Sequence, residues 1–209
     1  MNPVNAHLPA RAPVSATPAG YRAAKRTVDV AASAAILALA SPLLLLIALA
    51  VSLDSPGSAL FRQRRVGRNG VPFLLFKFRS MRRDAPNLPT ADMLKQTASP
   101  VTRVGAFLRR TSLDELPQLV NVLKGEMSLV GPRPALPAQA PLNELRARAG
   151  VDALLPGLTG WAQINGRDEL SDTQKVAHDT YYLHHRCLRL DLSILSRTFA
   201  AVLSGKGNR

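Results

Sequence analysis

Two adjacent acids, Asp114 and Glu115, stand out in a chain that is otherwise strongly basic, just after Arg109 and Arg110. Neighbouring positions on a helix point about 100° apart, so the two carboxylates cannot serve the same atom. One acting as nucleophile and the other as cation ligand is a natural division. A structural explanation competes with this one. Ser112-x-x-Glu115 spells a capping box, and acids are favoured in a first helical turn. Pro117 bears on the choice. If Ser112 were the N-cap, Pro117 would be the fifth helical residue, where its missing N–H breaks a ladder bond. A helix that starts at 113–114 puts Pro117 within the first turn and leaves Glu115 unneeded for capping. Such a helix start attracts phosphate, and its dipole, with Arg109 and Arg110, is expected to keep Asp114 ionised.

Other residues are suited to phosphate. Gly131-Pro132-Arg133-Pro134 presents one arginine between two residues of fixed φ, which suits bidentate phosphate binding or simply a rigid surface turn. Lys77 and Arg79 alternate in Phe-Lys-Phe-Arg and share a face if the segment is a strand, where they can meet phosphate, lipid headgroups or nothing. Trp161, Gln163, Asn165 and Arg167 form either a polar pocket wall or a glycine-rich structural loop. His178, His184 and His185 lack a convincing ligand set and read as structural or surface residues.

These residues need a scaffold. The chain has 209 residues, with 27 Lys+Arg against 14 Asp+Glu and a formal charge of +13. That length suits one domain with appendages. A composition of 46% hydrophobic and 20% charged residues excludes a disordered polyelectrolyte. The single Cys187 excludes an internal disulfide framework and a thiolate metal site, and suits a reducing compartment. The positive balance points to an anionic partner: nucleic acid, a lipid surface or a phosphorylated substrate.

Residues 1–20 read as a disordered tail. Residues 30–53 carry no charge at all, and this is the segment able to meet a membrane. A cleaved signal peptide and a buried soluble helix fit it less well than insertion does. At ~1.5 Å per residue the segment is long enough for a ~30 Å hydrocarbon core. Yet Arg22, Lys25 and Arg26 precede it, and Arg62, Arg64, Arg65 and Arg68 follow it, so both flanks favour the cytoplasmic side. Ser41-Pro42 lies at its middle. Pro42 interrupts the helical ladder at Ala38, and the Ser41 hydroxyl can satisfy the carbonyl of Leu37 or Ala38. The segment therefore reads as a helical hairpin returning to its own face, with a simple kinked span as the alternative.

Downstream, short strands over 61–66 and 73–78 flank Asn69-Gly70, a hairpin signal. Residues 84–100 read as a loop. Helices are expected at 103–110, 114–124, 137–149, 171–187 and 191–204. In the last, Leu192, Leu195, Phe199, Val202 and Leu203 form a stripe that either packs on the core or lies in a bilayer interface.

Together these words resemble one family. Lys25-Arg26-x-x-Asp29, the segment broken at Ser41-Pro42, Lys77-Phe-Arg-Ser-Met81 and Ser112-Leu-Asp-Glu-Leu-Pro-Gln118 come first. Asn121-Val-Leu-Lys-Gly-Glu-Met-Ser128, Gly131-Pro-Arg-Pro134 and Pro156-Gly-Leu-Thr-Gly-Trp-Ala-Gln-Ile-Asn-Gly-Arg167 follow, in order. The chain from about Lys25 to Leu203 resembles the bacterial sugar transferases, monotopic polyprenyl-phosphate phosphoglycosyl transferases; His184-His185-Arg186-Cys187 departs from the pattern in detail. The resemblance implies a mostly helical α+β fold with a re-entrant membrane helix over 21–57. It also implies a cytoplasmic catalytic domain over 58–209, with a short β-hairpin and interfacial amphipathic helices, at the inner membrane.

It implies further that a sugar 1-phosphate passes from a UDP-sugar to undecaprenyl (polyprenyl) phosphate, with UMP released and Asp114 as nucleophile. Glu115 then helps to hold Mg²⁺, and Arg109 and Arg133 join Lys77 and Arg79 at the substrate. The expected partners are UDP-sugar, polyprenyl phosphate and membrane lipid, with a homodimer compatible and no nucleic acid. The alternative class is a non-enzymatic basic membrane adaptor or nucleic-acid binder, which needs a basic stripe interleaved with exposed aromatics. The identity of the sugar is not legible.

Overall fold

A computed structural model describes residues 19–82, 100–166 and 169–204 of the chain. The expected tail over 1–20 and loop over 84–100 lie almost wholly outside the described residues, as does Arg167.

Helix α1, Ala19–Asp54, is built mainly from Ala and Leu, both strong helix formers, and remains helical through Pro42, so the two arms expected on either side of Ser41-Pro42 form one uninterrupted helix. The Ser41 hydroxyl donates to Ala38 O at 2.8 Å, occupying the carbonyl that Pro42 cannot reach. One face of α1 lies against the rest of the protein. Asp29, Ser33, Ile47 and Val51 are buried there, with Leu37 and Leu44 partly covered between them. The opposite face is apolar and bare: Leu39, Leu45, Leu46, Leu49 and Leu53 are each more than half exposed. By length and composition this helix is able to cross a membrane.

Both ends of α1 are tied down by polar contacts. Near the first, Asp29 accepts from Ser128 Oγ at 2.7 Å and from the Leu129 amide at 3.2 Å. Arg26 donates to Val122 O and Leu123 O at 2.6 and 2.9 Å. Lys25 Nζ and the Tyr21 hydroxyl both reach Asp191 Oδ2, at 3.0 and 2.9 Å. At the far end, Asp54 Oδ2 accepts from the Val104 amide at 3.1 Å.

Strands β1, Leu60–Val66, and β2, Pro72–Phe78, form the expected antiparallel hairpin, with Phe61 opposite Lys77. The turn places Asn69 at φ 56° and Gly70 at φ +76°, the conformations for which Asn and Gly are suited. Helix α2, Arg103–Thr111, is N-capped by Thr102 and ends at Ser112 in the left-handed region. A 3₁₀ turn, Leu113–Glu115, follows, and helix α3, Gln118–Lys124, begins only after Pro117. The continuous helix expected over 114–124 is thus split, because Pro117 has no N–H and serves as the N-cap of α3.

Strand β3, Ser128–Val130, pairs in parallel with β4, Gly157–Thr159, a pairing the sequence reading did not contain. The approach is so close that a Cβ on Gly157 would fall 2.1 Å from the Gly131 nitrogen. Helix α4, Ala140–Arg148, a 3₁₀ turn Val151–Ala153 and the short α5, Trp161–Ile164, surround this pair in sequence. Helices α6, Asp172–His185, and α7, Leu188–Leu203, complete the fold. A Ser171–Gln174 capping box starts α6.

The main core gathers Phe73 and Leu75 of β2, Leu119 and Val122 of α3, Met127, Leu129 and Val130 around β3, Tyr182 and Ile194. The stripe expected on α7 is divided. Leu195 packs against the core, whereas Leu192 and Phe199 are exposed on a face shared with Leu188. The architecture is a mostly helical α+β fold with a long apolar N-terminal helix and two small two-stranded sheets.

Candidate active site

The 3₁₀ turn buries Asp114, leaving it 7% exposed. Two devices hold the turn. Ser112 at φ 58° ends α2 and redirects the chain, while its carbonyl accepts from the Glu115 amide at 3.2 Å. Asn121, fully buried in α3, clamps β2: its Oδ1 accepts from the Phe76 amide at 3.1 Å and its Nδ2 donates to Leu74 O at 2.7 Å. The strand carrying Lys77 is thereby held beside the turn carrying the acids.

The Ser112–Glu115 capping box does not form; Ser112 makes no side-chain cap, and the Glu115 carboxylate turns to cations instead. Lys77 Nζ lies 2.6 Å from Glu115 Oε1, and Arg133 Nη2 lies 3.5 Å from the same oxygen. Arg109, in the last turn of α2, acts on Asp114 through its charge. Lys77 and Arg133 therefore pair with Glu115, and Lys77, Arg109 and Arg133 all act on Asp114 through their charges.

Burial pushes the Asp114 carboxyl above its ordinary value; Lys77 pulls it down, Glu115 pushes it up, and Arg109 and Arg133 pull it down less. The net direction is opposite to the sequence expectation. That expectation counted a helix dipole and nearby arginines, whereas desolvation of a carboxylate outweighs them here. A carboxylate kept more basic than usual is a better nucleophile when ionised.

Arg79 is a correction. The strand ends at Phe78, so the alternation that paired Arg79 with Lys77 does not continue. The Arg79 guanidinium is buried and donates to Val51 O, Ser55 O and Pro56 O at 3.1, 2.6 and 2.9 Å, closing the C-terminal end of α1. It positions α1 and does not face the acids.

The Pro-Arg-Pro turn is braced by two arginines that sequence reasoning missed. Arg65 Nη1 donates to Pro134 O at 3.1 Å, and burial, with Arg133 nearby, lowers its pKa to about 10. Arg146 donates to Arg133 O at 2.8 Å and holds Asp179 Oδ2 through Nε and Nη2 at 3.0 and 2.7 Å. Asp29 and Asn121 were likewise not assigned structural roles, since the partners through which they tie α1 to β3 and α3 to β2 lie 45 to 100 residues away.

Among the described residues, no group of three or more His, Cys, Asp and Glu is placed to hold a metal ion. Mg²⁺, however, commonly takes one or two carboxylates and completes its shell with substrate phosphates and water. The acid pair fits a cation that arrives with a diphosphate. His185 is stacked on Tyr181, with centroids 4.1 Å apart, and Tyr181 on Trp161 at 5.1 Å. Gln163 is buried with both amide atoms unpaired, and Asn165 Nδ2 donates to Trp161 O at 2.7 Å.

A sequence model described as bacterial sugar transferase matches residues 20–205. The UDP-glucose:undecaprenyl-phosphate glucose-1-phosphate transferase of Caulobacter vibrioides is 46% identical over 192 residues, covering 86% of this chain and 70% of that protein. The protein of the same description from Escherichia coli is 43% identical over 198 residues, covering 90% of this chain but only 41% of its own length. The exopolysaccharide production protein ExoY of Rhizobium meliloti is 41% identical over 199 residues, with 88% of each chain covered.

Proposed function

The chain belongs to the bacterial sugar transferase family, and from that premise we propose that it transfers a sugar 1-phosphate from a UDP-sugar to undecaprenyl phosphate and releases UMP. Two of the relatives described are named for UDP-glucose, which makes UDP-glucose the first donor to test. The relative named for exopolysaccharide production supports a place in polysaccharide synthesis. The observation that carries the reading is the buried Asp114 beside Glu115, with Lys77, Arg109 and Arg133 converging on the pair.

The chemistry follows from that arrangement. The ionised Asp114 carboxylate attacks the phosphorus that bears the sugar. The bond from that phosphorus to the bridging oxygen breaks, and its electron pair leaves with UMP. Lys77, Arg109 and Arg133 offset the charge that accumulates on the departing phosphate. Undecaprenyl phosphate then attacks the aspartyl phosphosugar, a new P–O bond forms, and the Asp114 carboxylate is regenerated. Glu115 would hold Mg²⁺ beside the diphosphate, and the ion would supply charge neutralisation there. A covalent relay lets a water-borne donor and a lipid-borne acceptor use one carboxylate at different times.

The membrane seat is argued from α1. Asp29 and Asp54 are 25 positions apart, about 37 Å along a straight helix, more than the ~30 Å hydrocarbon core. A crossing helix would set them on opposite faces. Both are bound to parts of one folded body, which supports a re-entrant seat with both basic flanks on the cytoplasmic side of the inner membrane. Exposed Phe107, Leu192 and Phe199 supply further apolar surface for the interface.

UMP release from UDP-glucose, measured with undecaprenyl phosphate and protein in lipid nanodiscs, tests the reading. Asp114→Asn is expected to lower turnover by at least about a thousandfold and to abolish any phosphosugar adduct. An Asp114→Asn variant that still releases UMP at the wild-type rate refutes the nucleophile.

A further inference from the structure

Behind the Pro132-Arg133-Pro134 turn lies a cleft of about 250 Å³ that the chemistry above does not use. It is bounded by the β-hairpin turn, by α4 and by the 3₁₀ turn Val151–Ala153. Val66, Pro132, Pro134, Leu154 and Pro156 give it apolar walls. Asp152 also lines it, and the Oδ1 atom of Asp152 is buried without a hydrogen-bond partner. A carboxylate on the wall of a cleft is an acceptor for a ligand that brings hydroxyl donors.

Arg133 belongs to both places. It lines the cleft, and its guanidinium lies 3.5 Å from Glu115 Oε1. The cleft is therefore one arginine away from the reacting carboxylates. Its volume is below the ~300–1,000 Å³ of sites that enclose a whole drug-sized ligand, so it takes one part of a larger molecule. That part has to offer a flat apolar face to the proline and aliphatic walls, hydroxyl donors to Asp152, and a phosphate at its Arg133 end.

A nucleoside meets these requirements, and acidic side chains accept from ribose hydroxyls in other nucleotide sites. We propose that this cleft is the nucleoside subsite of the donor, with Asp152 accepting hydrogen bonds from the ribose and Arg133 holding the diphosphate between the cleft and Asp114. The inference rests on the nucleotide-sugar reading given above and deepens it. Asp152 is then a binding residue that sets preference for a ribonucleotide donor and takes no part in bond making.

The test uses the full chain in nanodiscs, with UMP as binding probe and UDP-glucose against its 2′-deoxyuridine counterpart as donors. Wild type is expected to prefer the ribonucleotide in kcat/KM. Asp152→Ala is expected to raise KM for UDP-glucose about tenfold and to erase that preference, leaving kcat and the KM for undecaprenyl phosphate near wild type. Ala147→Trp, at an exposed position on the cleft wall, is expected to weaken UMP binding by obstruction, and serves if the Asp152 variant does not fold. Wild-type UMP affinity in both variants, with donor preference intact, overturns the subsite while leaving the transferase reading standing. A wild-type protein that binds UMP but releases none from a panel of UDP-sugars overturns the transferase reading instead.

Discussion

Lys77 Nζ and Glu115 Oε1 stand 2.6 Å apart, joining the C-terminal end of β2 to the turn that carries Asp114, with both side chains only 18% exposed. The same ammonium is the strongest charge holding down the Asp114 carboxyl against its burial. One lysine thus pairs with Glu115 and tempers the basicity of Asp114.

Lys77→Met removes both effects. The Asp114 carboxyl is expected to move further up, so the acid limb of the kcat/KM profile shifts to higher pH, with turnover about a hundredfold lower at neutrality. A pH profile of UMP release for the two proteins checks this. An unshifted acid limb contradicts the assigned role.

The raised Asp114 carboxyl also has a stability consequence. Between the ordinary value of 3.8 and the higher folded value, the native state binds more protons than the unfolded state. Stability is therefore lost as pH rises through that window. Asp114→Asn is expected to raise Tm at pH 7, by ~2–4 °C for each kcal/mol regained, and to lose this advantage below pH 3.8. Thermal unfolding at several pH values reads the difference, and a lower Tm at pH 7 goes against it.

Asp29 secures α1 to β3 through two buried hydrogen bonds. Asp29→Ala leaves the Leu129 amide without its acceptor and the Ser128 hydroxyl with Val130 O alone, and is expected to destabilise the protein by about 1–3 kcal/mol. Urea unfolding in detergent measures it; Asp29→Asn, which retains an acceptor, is expected to recover part of the loss.

The topology of α1 is open to cysteine labelling. Cys187 is exposed and is first changed to Ser. Single cysteines at positions 20 and 58 are then expected to react with an impermeant reagent from the same, cytoplasmic side of sealed vesicles. Labelling from opposite sides establishes a crossing helix. Pro42→Leu, by restoring the ladder to Ala38, is expected to increase the crossing population.

Much of the fold was legible because its signals are local. The hairpin register follows from Asn69-Gly70 between two alternating runs, and the helix boundaries follow from caps and prolines within a turn of each end. Ser41 relieving the carbonyl opposite Pro42 is likewise a matter of three positions along one helix. The Asp114–Glu115 pair was legible as a candidate, since two acids set among arginines invite a role. The parallel pairing of β3 with β4 was not, because three-residue buried strands carry no alternation to read.

What the amino-acid order determined by itself was the uncharged helix with Ser41-Pro42 at its middle, the hairpin, and the acids with Arg109 and Arg133 near them in type and spacing. Only the tertiary structure decided that Lys77 faces Glu115 while Arg79 closes α1, that burial outweighs positive charge at Asp114, and that Arg65 and Arg146 hold the Arg133 turn. The division has one cause. Backbone preference is set by neighbours a few residues apart, whereas desolvation and ion pairing depend on which distant segments pack together, and that is settled only when the core closes.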